Sequence, residues 1–131
     1  MNLSRQRTVA VLWLVLCRFT GWAGELTIHL PGSEPISHRI IQYQCDSDGV
    51  TMGLPATAFT VEYINGGGNS LAVLPMSGKS LIFANVASGS EARYAAQHYI
   101  WWEAAGRTVS LSSDSPAGKM QSTCHRMRAN R

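Results

Sequence analysis

The sequence predicts an all-β fold, a small antiparallel barrel or sandwich, and three observations predict it. Short stretches alternate apolar and polar residues with a period of two, as in Arg39 to Cys45 and Phe59 to Asn65. Turn-forming residues separate such stretches at close intervals, among them Gly66-Gly67-Gly68, Ser77-Gly78 and Asp114-Ser115-Pro116-Ala117-Gly118. No stretch carries a convincing helical pattern, so eight closely spaced strands have only one another to pack against. At 131 residues the chain suits one domain and leaves little room for a second core.

The first strand, RIIQYQC, sets Ile41, Tyr43 and Cys45 on one face and Ile40, Gln42 and Gln44 on the other. FTVEYIN does the same with Phe59, Val61 and Tyr63 against Thr60, Glu62 and Ile64. Ser70 to Leu74 and Ser80 to Ala84 form a hairpin about Ser77-Gly78. Glu91 to Ala96, His98 to Glu103, Arg107 to Ser112 and Lys119 to Cys124 complete the set, and closing such a sheet removes exposed edges. Ahead of the first strand, Pro31, Gly32 and Pro35 oppose a central strand, although Leu26 to Leu30 could pair at an edge. Residues 24–38 therefore read as a weakly structured leader, 39–125 as the β domain and 126–131 as a basic tail.

At the N-terminus, Arg5 and Arg7 precede an apolar run from Val9 to Cys17, and small residues Gly21 and Ala23 stand just before Gly24. This is the layout of a secretory signal peptide over residues 1–23. A membrane span needs about 20 apolar residues, and Arg18 interrupts this run well short of that. A periplasmic or secreted location is the expectation. The alternative is a lipid anchor in the bacterial envelope through Cys17, because Leu14-Val15-Leu16-Cys17 approaches a lipobox, with Leu16 where a small residue belongs. A membrane partner is expected only in that case.

Loss of the signal alters the charge balance. Arg5, Arg7 and Arg18 leave with it, and Arg126, Arg128 and Arg131 crowd the tail, so five of the 11 basic residues remain in residues 24–125 beside all 8 acidic ones. The formal charge of +3 is thus no sign of a nucleic-acid partner, and the mildly acidic body suits a basic protein. Only Cys45 and Cys124 remain of the 3 cysteines, an even number for an oxidising compartment, and they are expected to form one disulfide. Closing so long a loop is worth about 4 to 5 kcal/mol by chain entropy.

A more specific pattern runs from Ile40 to Cys124. In order come Tyr43-Gln44-Cys45, Tyr63-Ile64-Asn65, Gly78-Lys79, the segment Ser88 to Tyr94, Tyr99 with Trp102, Gly106 with Leu111, and Cys124. This order resembles the MliC/PliC family of bacterial inhibitors of C-type lysozyme, membrane-bound or periplasmic. The resemblance implies an eight-stranded antiparallel β-barrel whose Ser-Gly loop enters the active cleft of lysozyme, supported by a neighbouring Lys-Gly turn. It implies C-type lysozyme as the protein partner and Ser88, Gly89, Ser90, Arg93, Tyr94, Gly106 and Arg107 as the binding residues. Arg93 and Tyr94 have an equally good structural reading within the barrel. Trp101 and Trp102 are neighbours on a strand, so one faces inward and one outward. Matching Trp102 to the family tryptophan puts it in the core and leaves Trp101 as a surface contact.

The chain departs from the family at two places. Alignment on Ala92-Arg93-Tyr94 without gaps selects Ser90 as the inserted serine, whereas alignment on Ser-Gly selects Ser88. The family's lysine before the turn glycine is replaced by Ala105, and the nearest cation is Arg107, a longer planar donor. Enzyme signatures are missing: no GxSxG, HExxH, P-loop or CxxC occurs, and His29, His38, His98 and His125 lack metal-ligand spacing. No catalysis, cofactor or metal is expected. The competing reading is a non-inhibitory envelope barrel that binds glycan or assists assembly.

Overall fold

The computed structural model describes residues 24–29, 31–32, 34–104 and 108–128. Eight strands, β1 (Ser37–Cys45), β2 (Phe59–Gly66), β3 (Asn69–Met76), β4 (Lys79–Asn85), β5 (Ala92–Ala96), β6 (Tyr99–Glu103), β7 (Thr108–Ser115) and β8 (Gly118–Arg126), close into an antiparallel barrel. Each strand pairs with the next in sequence, and β8 returns to β1. The returning pair is short, Tyr43 opposite Arg126, Gln44 opposite His125 and Cys45 opposite Cys124, with the disulfide between the last two.

The period of two sets which residues enter the barrel. Ile41, Tyr43, Phe59, Val61 and Tyr63 are buried as the alternation requires, joined by Ala72, Leu74, Met76, Phe83, Tyr94, Val109 and Leu111. Ile40, on the opposite face of β1, is exposed. The β3–β4 hairpin turns through Ser77 and Gly78, with φ of 51° and 74°. Two successive positive φ values match the twist of paired strands, and glycine takes the second at no steric cost.

The structure corrects two expectations. Trp101 is the core residue, with no exposed surface, while Trp102 is 41% exposed on the outer wall. The cross-strand register decides this, because Trp101 lies opposite inward-facing Tyr94 and Trp102 opposite exposed Arg93. A short helix, α1 (Ser47–Thr51), follows β1 where none was expected. Residues 24–29, which include most of the Leu26–Leu30 stretch, form no strand and are exposed. The signal segment, Cys17 and Leu30 lie outside the described residues.

Helix α1 packs on the β1–β8 seam at one end of the barrel, with Gly49 as its buried residue. Asp46 caps it by accepting from the Gly49 amide at 3.2 Å, and the same carboxylate accepts from the Ser122 hydroxyl at 2.7 Å and the Thr123 amide at 2.9 Å. Those bonds hold the Asp46 carboxyl below its ordinary range, the Ser122 hydroxyl contributing most. Gly49 is forced by space: a Cβ there would stand 2.6 Å from Ser122 Oγ and 2.9 Å from Cys45 Cβ. Beyond the helix, Met52 and Leu54 drop into the core.

Candidate functional site

The opposite end of the barrel carries the predicted loop. It spans residues 86–91 between β4 and β5, and Ser88, Gly89 and Ser90 at its tip are exposed. Its stems are fixed, since Val86 N–H donates to the Arg93 carbonyl at 2.8 Å and the Asn85 amide side chain donates to the same oxygen at 3.2 Å. Across the tip, the Ser88 hydroxyl donates to the Glu91 carbonyl. Loop residues tied in this way lose less freedom on docking than a free segment would.

Tyr94 lies beneath the loop rather than at its surface. It is buried, tilted against Tyr63 at 5.8 Å between ring centroids, and its hydroxyl is 3.4 Å from Ser70 Oγ. Arg93 points outward beside Trp102. The first residue of β5, Ala92, pairs with Glu103, the last of β6. The loop therefore emerges beside the segment that follows Glu103, which is where the sequence places Gly106 and Arg107. Ala105, Gly106 and Arg107 themselves lie outside the described residues.

Under this end the barrel holds a chain of polar groups that sequence reasoning missed. The Trp101 indole N–H donates to the Tyr63 hydroxyl at 2.9 Å, the two tyrosine hydroxyls are 3.1 Å apart, and the Tyr43 hydroxyl donates to Glu103 Oε1 at 2.8 Å. With those two donations fixed, the remaining proton assigns Tyr63 as donor to Tyr43. Burial pushes both tyrosine hydroxyls up, so they keep their protons as donors at neutral pH. Tyr43 also meets Trp101 edge to face at 5.3 Å. The Arg39 guanidinium covers the Tyr63 ring at 5.2 Å and closes the interior from above. The run of interior bonds thus ends on the residue from which the β6–β7 connection departs. One sequence signal pointed to it: Glu103 shares the strand face of Trp101.

No group of three or more His, Cys, Asp or Glu side chains that could hold a metal occurs among the described residues. His38 pairs with Glu62 at 2.8 Å, and His98 lies against the Tyr99 ring.

Comparison with known proteins agrees with this fold. The family model described as membrane-bound lysozyme-inhibitor of c-type lysozyme matches residues 43–119. The chain belongs to the MliC family. A Pseudomonas aeruginosa relative, "Membrane-bound lysozyme inhibitor of C-type lysozyme", is 42% identical over 91 residues, which is 69% of this chain and 65% of the relative. This chain thus spans just under two thirds of that relative's length. The crystal structure of Pseudomonas aeruginosa MliC in complex with hen egg white lysozyme matches with a TM-score of 0.62 and 34% identity, covering 82% of this chain and all of the other.

Proposed function

We propose that this MliC-family chain is an exported inhibitor of C-type lysozyme that occludes the enzyme's cleft with the 86–91 loop. The observation that carries the reading is an exposed, hydroxyl-bearing tip on pinned stems, in a chain whose structural relative was crystallised with a C-type lysozyme. Lysozyme works with one carboxyl kept protonated and one ionised. A serine hydroxyl donates and accepts, so it satisfies both while offering no glycosidic bond to cleave.

The loop geometry divides the labour between the two candidate serines. Ser88 spends its proton on the Glu91 carbonyl and stiffens the tip, which leaves Ser90 as the residue presented to the enzyme. Tyr94 and the Tyr43–Glu103 bond position the loops from below, while Arg93 flanks them at the surface and Gly106 and Arg107, which follow Glu103 in sequence, complete the set of binding residues. The chain acts as an inhibitor and not an enzyme. It works in the periplasm or outside the cell after removal of residues 1–23, or from a lipid anchor at Cys17.

Adding the folded, oxidised chain to a C-type lysozyme and following cell-wall lysis tests the reading. Stoichiometric loss of lysis is expected, with Ser90→Ala weakening inhibition more than Ser88→Ala. Undiminished lysis at micromolar excess of folded chain would overturn it.

A further inference from the structure

The outer wall of β5 to β8 carries a groove that starts at the 86–91 loop and runs away from it along the strands. Two rows of outward residues cross it. Arg93, Trp102, Ser110 and Thr123 are successive register partners, and Ala95, Ile100, Ser112 and Gln121 form the next row. One depression of about 380 Å³ runs from the Ser88–Gly89 loop to Gln121, and a second of about 720 Å³ continues toward Lys119. Both are lined by Arg93, Ile100, Ser112 and Gln121, so they form one continuous trough. Along β6 from Trp102 to His98 it extends about 13 Å at strand rise.

The chemistry of the lining selects a class of ligand. Cations do not dominate it: Lys119 already pairs with Asp114 at 3.9 Å, and Glu91 lies beside Arg93, so a phosphate chain finds no positive track. An extended peptide binds by adding to a sheet edge, and the strands that floor this trough, β6 and β7, are paired on both sides. An amphipathic helix needs several apolar anchors along a stripe, whereas Trp102 and Ile100 are the large apolar side chains of the two rows. What remains is a ring-shaped, neutral, polyhydroxyl ligand. The C–H face of a sugar stacks on an exposed indole, and its equatorial hydroxyls meet neutral groups that both donate and accept. Trp102 beside Ser110, Ser112 and Gln121 supplies that combination.

We propose that the outer wall of β5 to β8 is a glycan-binding groove, with Trp102 as the stacking platform and Ser110, Ser112 and Gln121 as the hydroxyl-reading groups. The site adjoins the inserted loop, whose Ser88 and Gly89 form its upper rim with Arg93, but its stacking and hydroxyl-reading groups lie on the strands below.

Titrating the full, oxidised chain with a soluble β-1,4-linked N-acetylglucosamine oligomer, followed by backbone amide NMR shifts, tests the proposal. Saturable shifts centred on Trp102, Ser110, Ser112 and Gln121 are expected. Trp102→Ala should weaken binding about tenfold, equivalent to about 1.4 kcal/mol, with Gln121→Ala a smaller loss in the same direction and both variants melting like the parent. Lysozyme inhibition by Trp102→Ala, measured on the same samples, should match the parent, which separates this site from the loop reading. Absence of shifts at millimolar oligomer, shifts confined to residues 86–91, or affinity unchanged in Trp102→Ala would each overturn the proposal. Parent chain without glycan shifts, together with loss of inhibition in Trp102→Ala, would overturn it too and assign the wall to the lysozyme interface.

Discussion

The two ends of the barrel are built on opposite principles. At one, the disulfide, helix α1 and the three bonds to Asp46 tie β1 to β8, with Gly49 fitted so closely that a methyl group would collide. At the other, an exposed tip stands on stems held by a few backbone and side-chain bonds. The difference teaches that rigidity is concentrated away from the loop, so that the loop inherits a fixed frame without itself being buried. Changes at the disulfide end should therefore cost stability first, and changes at the loop end should cost inhibition first.

The largest expected effect is removal of the disulfide. Cys45→Ser with Cys124→Ser opens a link across 79 residues, and urea unfolding should show a loss of about 4 kcal/mol. Inhibition measured where that variant is still folded should stay close to the parent value; its disappearance there would break the division between the ends. Tyr43→Phe comes next, at about 1 to 3 kcal/mol, because it removes the donor to the part-buried Glu103 carboxylate. Since Glu103 precedes the β6–β7 connection, inhibition by this variant should fall even at temperatures where circular dichroism shows it fully folded.

Asp46→Ala should cost about 1 kcal/mol through loss of the helix cap. The parent should also depend on pH in a definite sense. The folded Asp46 carboxyl is held below its ordinary value of 3.8, so its contribution is complete above that value and fades as pH falls through the lower folded value. Unfolding midpoints taken from pH 5 downward should drop less steeply in Asp46→Asn than in the parent. The smallest stability effect belongs to Ser90→Ala, within about 0.5 kcal/mol for an exposed position. A change that large in inhibition and that small in melting is what most sharpens the contrast between the ends.

Much of this architecture was legible because alternation is a local property. Arg39 to Cys45 and Phe59 to Asn65 show their inward faces by themselves, and the turn residues around Ser77-Gly78 announce the hairpin. Alternation yields two faces, however, and does not say which is inside. In Tyr99–Glu103 both faces carry a tryptophan, so residue type does not set the phase, and matching Trp102 to the family tryptophan chose the wrong face. The Tyr43 hydroxyl, distant in sequence, gives the Glu103 carboxylate on the Trp101 face a partner. Helix α1 escaped notice because five residues carry no periodicity, although Asp46 three positions before Gly49 is a capping signal. The exposed 88–90 tip was readable from its turn residues, whereas the Ser88 bond to Glu91 depends on how the loop closes.

The β1–β8 seam brings together the two ends of the domain's chain through three paired residues, while every other strand pair joins sequence neighbours. Hairpins between consecutive strands form cheaply, and a pairing across most of the chain forms late. While that seam is open it presents two unfinished margins, the kind of edge that pairs with other chains. The Cys45–Cys124 bond at the seam works as a latch, keeping margins that have met from parting again.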